Sequence, residues 1–256
     1  MIKITDSERI NLSKLCTCRK EDNLLQWFLE GNSYCAAWVD DVLQPEEAII
    51  IAADFCYLMG VVEHHHEIEQ ILEENARHKI IIPCGTHWDT YLKEYMSKKV
   101  RCYSRYAIKH EPDVFDKNNL EQLIKRINPV YEIKQIDEDI YKEVLDIDWA
   151  ADGCCFYRSY EDFKKNGLGY VVLKDRQLVS IASSYTTYKN TIGVTIGTLE
   201  EYQRQGLAAA CGATLILECM KRGIYPEWEA ANTKSVALSE KLGYHFDKAF
   251  DVYSIL

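Results

Sequence analysis

The chain has 256 residues, 47% of them apolar and 27% charged, a soluble globular composition that excludes disorder or a fibrous repeat as its main state. At about 150 residues per domain, the length allows one large domain or two small ones. Thirty Lys+Arg against forty Asp+Glu give a net charge of −10, which argues against nucleic acid as a partner, because duplex affinity rests on neutralising phosphates.

The first ten residues carry Lys3, Asp6, Glu8 and Arg9 and no apolar run, unlike a secretory leader. Leu24, Leu25, Trp27, Phe28 and Leu29 suggest a short amphipathic helix. Ala36–Val39, followed by Asp40-Asp41, reads as a strand and turn, and Ile49–Ala53 and Phe55–Val61 as buried strands. The longest apolar stretch, Ala48–Val62, is interrupted by Asp54 and falls short of the ~20 residues of a spanning helix. No membrane contact and a cytoplasmic location are therefore expected. Glu63–Lys79 carries a helical stripe of Ile68, Ile71, Leu72 and Ala76. Ile80–Pro83 reads as a parallel strand, and Thr90–Lys98 and Asn119–Ile127 as helices.

Asn128-Pro129 breaks the last of these, since Pro disfavours the α region before it. The boundary is placed there, giving an N-terminal α/β domain over 1–128 and a second domain over 129–256. Each half carries a net charge of −5. In the second half Tyr131–Ile136 alternates like a strand. Glu138–Ile147 and Phe156–Asn166 read as helices. Gly169–Leu173, a Lys174-Asp175-Arg176 turn and Leu178–Ser184 form a hairpin. A strand over Thr191–Leu199, a long helix over Gly206–Arg222, a strand over Pro226–Ala230, a helix over Lys234–Leu242 and a strand over Phe250–Ile255 complete the chain.

The segment Thr198-Leu199-Glu200-Glu201-Tyr202-Gln203-Arg204-Gln205-Gly206-Leu207-Ala208 carries the clearest chemistry. An apolar strand ends, a polar loop follows, and Gly206 opens a helix of small residues. A helix N-terminus leaves N–H groups unpaired and holds the positive end of the dipole, so it suits a pyrophosphate. Gly206 would let backbone approach the ligand and Ala208 keeps the first turn free of bulk.

Gln203-Arg204-Gln205-Gly206-Leu207-Ala208 resembles the Gln/Arg-x-x-Gly-x-Gly/Ala motif of the GNAT superfamily of N-acyltransferases. Trp228, Asn232 and Ser235, followed by Lys241-Leu242-Gly243-Tyr244, resemble its second block. Within the superfamily the Trp-x-x-x-Asn-x-x-Ser pattern is similar to the subgroup that includes the zwittermicin A resistance acetyltransferase. The resemblance is strong over 130–256 and weaker before it. It implies an α/β (α+β) fold with a mixed, mostly antiparallel sheet flanked by helices. Residues 36–62 resemble 169–184 in their layout of strand, acidic turn and strand, which allows the N-terminal half to be a degenerate copy of the same fold.

The same resemblance implies acetyl-CoA as co-substrate, no metal, and direct attack by the amine of a small molecule; a homodimer is allowed. Backbone from Gln205 to Ala208, with Gln203 and Arg204 beside it, would hold the pyrophosphate. Thr198 and Leu199 would bond the pantetheine, and Asn232 and Ser235 would line it. Ser239 stands where many members have a Tyr acid. Gly197 stands where many place a Glu, leaving Glu200, Glu201 or Glu229 as candidate bases. These two departures also allow a non-catalytic acyl-CoA sensor. Tyr185 and Trp228 are candidate substrate contacts, as is the stretch from Asp148-Trp149 to Tyr157.

Other conspicuous residues have plainer readings. His64-His65-His66 cannot converge on one ion from a helix, because adjacent side chains point apart, and reads as a solvated helix start. Thr86–Asp89 reads as a loop and helix cap. Cys16-Thr-Cys18 and Cys154-Cys155 lack zinc or redox spacing, and most of the ten cysteines read as core residues.

Overall fold

The structure, a computed structural model, describes residues 1–19, 22–31 and 35–256. In chain order its elements begin with β1 (Ile2–Lys3), α1 (Asn23–Leu29), β2 (Cys35–Val39), β3 (Glu47–Ala52), β4 (Phe55–Gly60) and α2 (His65–Asn75). There follow β5 (Ile80–Cys84), α3 (Thr86–Glu94), β6 (Val100–Ile108), α4 (Lys117–Lys125), β7 (Tyr131–Gln135), α5 (Glu138–Leu145) and α6 (Tyr160–Asn166). The last are β8 (Gly169–Lys174), β9 (Gln177–Tyr188), β10 (Thr191–Thr198), α7 (Leu207–Arg222), β11 (Tyr225–Glu227), β12 (Glu229–Ala230), α8 (Thr233–Leu242) and β13 (Phe246–Ile255).

Two compact units form, one from Met1–Arg105 with Phe250–Leu256 and the other from Tyr106–Ala249. The expected boundary at 128/129 therefore lies inside the second unit. The cause is α4, which places Leu120 and Leu123 in one apolar cluster with Ala209, Ala213 and Ile216 of α7. The last strand returns to the first unit, where Tyr253 partners Ile81.

In the first unit β1 to β4 form an antiparallel meander, and β5 lies parallel to β4. A parallel partner requires a crossover, and α2 supplies it, burying Ile68, Ile71 and Leu72 against Ile49, Ile51, Leu58 and Ile81. The helix read at Thr90 starts earlier, at Thr86, because Trp88, Tyr91 and Leu92 make one buried face. The loop reading of Thr86–Asp89 is thereby corrected. The long helix read over 63–79 shortens to α2. Strand β6 went unread; its exposed Arg101, Cys102 and Ser104 mask the pattern.

In the second unit five strands run in the order β11-β10-β9-β8-β7, antiparallel except for β10–β11. The hairpin turn falls where the sequence puts it, with Asp175 and Arg176 at positive φ, as a two-residue turn demands. Helix α6 begins at Tyr160 rather than Phe156. Ser159 caps it by accepting from the Asp162 N–H, and the Tyr157 hydroxyl reaches Ser184 instead. The strand read over 226–230 is in fact two strands with different partners. Tyr225–Glu227 pairs with Thr191–Gly193, whereas Glu229 and Ala230 pair with Ala107 and Tyr106 of β6. The unit is a mixed, mostly antiparallel α/β layer, as the sequence indicates.

The ten cysteines are free; five are buried, Cys18 and Cys102 are exposed, and three lie between. Fewer of them are core residues than the sequence suggests. Among the described residues no helix is long and apolar enough to cross a membrane.

Candidate active site

The site grows from the divergence of two parallel strands. β11 accompanies β10 for only three residues and then leaves for β6, so the pairing with β11 stops at Gly193. From Val194 to Thr198 β10 keeps its partner β9 on one edge and lacks β11 on the other. The β9 pairing persists to the end, since Leu199 N–H donates to the Val179 carbonyl at 3.0 Å. An unpaired strand edge offers N–H and C=O groups to an extended ligand.

The loop after β10 turns sharply into α7. Arg204 and Gly206 both have left-handed backbone, at φ +62° and +84°. Gly206 is the N-cap of α7, and no side chain caps it. By contrast α1, α4, α5, α6 and α8 are capped by the side chains of Asp22, Asp116, Asp137, Ser159 and Asn232, whereas α2 and α3 share the lack of a side-chain cap. Nothing lies within 4 Å of where a Gly206 Cβ would stand. The first-turn N–H groups of a 16-residue helix are thus left to an outside acceptor. These features fit a pyrophosphate.

Polar side chains brace this loop. Gln203 Nε2 donates to the Thr198 carbonyl at 3.3 Å, and the Thr198 and Ser180 hydroxyls lie 2.8 Å apart. Gln205 Oε1 accepts from the Tyr131 hydroxyl at 2.5 Å. That partner went unnoticed in the sequence, where it lies 74 residues away. Glu200 and Glu201 form a short exposed turn before the loop.

The second block folds into a helix start of its own. Asn232 Oδ1 accepts from the Ser235 N–H at 3.0 Å, and the Trp228 indole N–H donates to Ser235 Oγ at 3.1 Å. The structure thus joins Trp228, Asn232 and Ser235 in one chain of contacts. Trp228 is only 4% exposed and sits in the cluster with Ala209, Ala213 and Tyr244. A direct substrate contact, as the sequence suggested, is at odds with that burial; the ring holds β12 and α8 to α7.

Ser239 is wholly buried on α8, and its hydroxyl donates to the Val236 carbonyl at 2.8 Å. Glu229 lies on β12 opposite Ala107. Tyr185 is half-buried at a bulge of β9, between the partners of Gly193 and Val194, with its ring 4.6 Å from that of Phe156. A bulge re-aims a side chain. The Tyr157 hydroxyl is held by Ser184 at 2.7 Å and Thr187 at 2.9 Å, and burial pushes it up to about 12. Burial likewise pushes the Cys154 and Cys219 thiols up to about 12. Neither supplies a thiolate near neutral pH. Among the described residues no group of three or more His, Cys, Asp or Glu side chains could hold a metal ion.

Known proteins share these features. The profile of the GNAT acetyltransferase family matches residues 15–253. Over 231 residues the chain is 28% identical to an uncharacterized N-acetyltransferase, YdfB, of Bacillus subtilis (strain 168), covering 85% of this chain and 84% of that protein. The crystal structure of a GCN5-related N-acetyltransferase-like protein from Streptococcus suis 89/1591 superposes with a TM-score of 0.86. Its identity is 33%, over 98% of this chain and 99% of that one. A tandem GNAT protein from the clavulanic acid biosynthesis pathway shares the fold alone, with a TM-score of 0.57 and 11% identity over 99% and 97% of the two chains. The match spans both units, and the chain belongs to the GNAT acetyltransferase family.

Proposed function

We propose that the protein transfers the acetyl group of acetyl-CoA to the amine of a small molecule by direct attack. The observation that carries this is the uncapped start of α7 at Gly206, following the open Val194–Thr198 edge. Backbone from Gln205 to Ala208 holds the pyrophosphate, and Gln203 and Arg204 flank it. The Thr198–Leu199 end of β10 is assigned to the pantetheine arm; because the Leu199 N–H is given to Val179, the Thr198 N–H is assigned as the donor that polarises the thioester carbonyl. Asn232 already uses its carbonyl oxygen on Ser235, so its amide NH2 is the group that meets the arm, beside the Ser235 hydroxyl.

Acetyl-CoA brings the activated acyl group, and the chain brings position. Holding amine and thioester together can supply much of the rate. Glu201 and Glu229 remain the candidate bases, acting through water. Ser239 can protonate the departing thiolate only by releasing the Val236 carbonyl, so Ser239→Ala is expected to keep turnover within about tenfold. A working general acid would be worth ~10²–10⁴. Tyr185 is assigned to the acceptor side.

The Trp228, Asn232 and Ser235 pattern supports placement near the subgroup of the zwittermicin A resistance acetyltransferase. The first unit is read as a degenerate copy of the second that binds no CoA, and the location as cytoplasmic. The test is release of CoA thiol across a panel of amines. Wild type is expected to turn over at least one amine, and Gly206→Glu none. Turnover by Gly206→Glu at the wild-type rate would refute the assignment.

A further inference from the structure

We infer that Trp149 sets acceptor specificity, selecting amines that carry an apolar carbon framework over polyamines. The inference deepens the acetyl-transfer reading above and rests on it.

Its basis is a matched pair of residues on β10. Successive side chains of a strand face opposite ways. Ile196 faces α7, since a Cβ added to Gly212 of that helix would stand 3.2 Å from Ile196 Cδ1. Gly197 faces the other side, where a Cβ would meet the Trp149 ring at 3.3 and 3.4 Å. The indole therefore occupies the space that a side chain at 197 would fill. Ile181, the cross-strand neighbour of Gly197, belongs to the apolar cluster against which Trp149 packs.

The segment that follows Trp149 is pinned to β9, with Ser183 on the Gly197 face. Ser183 Oγ donates to the Gly153 carbonyl at 2.7 Å, and Tyr157 bonds Ser184 and Thr187. Trp149 nevertheless stays partly exposed, next to the exposed Asp148. Trp149 is thus half-buried over Gly197, beside the strand segment assigned to the thioester and on the face away from α7. An amine attacking there from that face packs its carbon framework on the indole. A hydrophobic wall discriminates by the apolar surface it buries.

The test compares 2-phenylethylamine and hexylamine with spermidine, measuring kcat and KM for each amine and the Kd of acetyl-CoA. Wild type is expected to prefer the apolar amines. Trp149→Ala should raise their KM at least about tenfold while leaving the acetyl-CoA Kd unchanged. Trp149→Phe should fold as wild type does and raise the same KM by a smaller factor. Gly197→Ala adds a methyl against the ring, so it should raise the acceptor KM in wild type and much less in Trp149→Phe. A wild-type preference for spermidine, or no turnover of the apolar amines, overturns the inference. So does a Trp149→Ala enzyme with unchanged acceptor KM. Failure of wild type to bind acetyl-CoA would instead remove the reading beneath it.

Discussion

The molecule contains the same strand–helix–strand crossover twice, and the two copies differ at the helix start. In the first unit β4, α2 and the parallel β5 follow an antiparallel meander; in the second, β10, α7 and the parallel β11 do the same. At α7 the helix start is bare. At α2 the chain supplies its own anion. Glu47, wholly buried, accepts from the N–H groups of Glu63 at 2.9 Å and His64 at 3.3 Å, and from His64 Nδ1 at 2.6 Å. Both N–H groups precede α2, whose first turn from His65 has no side-chain cap, but the buried carboxylate sets negative charge at the helix start, where it disfavours a second anion. The shared topology supports the proposed common plan, and Glu47 offers a physical basis for the proposal that CoA binds at α7 and not at α2.

Substitutions can break or sharpen that contrast. The largest effect is expected at Gly206→Glu, which puts a carboxylate where the pyrophosphate belongs and a side chain on a backbone at φ +84°. Calorimetry should show acetyl-CoA affinity falling by more than about 100-fold, or about 2.7 kcal/mol. Next comes Glu47→Ala. It strips the acceptor from the part-buried N–H groups of Glu63 and His64, at about 0.5–1.5 kcal/mol each. Thermal denaturation should report a loss of several degrees, with acetyl-CoA affinity unchanged. A parallel loss of affinity would show that the first copy serves the binding site. Asn232→Ala removes the cap of α8 and should lower stability by about 1 kcal/mol in a urea titration, with a rise in the KM for acetyl-CoA.

The smallest effect concerns pH. The hydrogen bond to Glu47 raises the His64 pKa above its ordinary value, with the Glu47 and Glu67 charges adding to it. Its contribution to stability is therefore full below the unfolded-state value of about 6.5 and is lost as pH rises through the higher folded-state value. The ring is partly exposed, so the gain should stay under about 1 kcal/mol. Melting curves of wild type and His64→Gln should converge at alkaline pH and separate below about pH 6.

Legibility in the sequence followed the range of the interactions. Gly206 and the small residues after it are a local signal, so the start of α7 was readable. Asn232 and Ser235 belong to a short local motif as well, though their motif position assigns them to the pantetheine arm and not to the cap of α8. The division of 225–230 between two partners was not, because it depends on Ala107, more than 120 residues earlier. Glu47 gave no signal either, since burial of its carboxylate depends on N–H groups 16 and 17 residues away. The clearance at Gly197 was read as a missing base, whereas the structure fills it with a ring from another element. Trp228 and Ser239 were assigned outward roles from motif position alone, and the packing of α7 against α8 buries both.

The central claim is that one strand–helix junction of the two takes CoA, and the stoichiometry of acetyl-CoA binding tests it most directly. Titration calorimetry should give one site per chain in wild type and in Glu47→Ala, and none in Gly206→Glu. Two sites in wild type, or one site surviving in Gly206→Glu, would contradict the account.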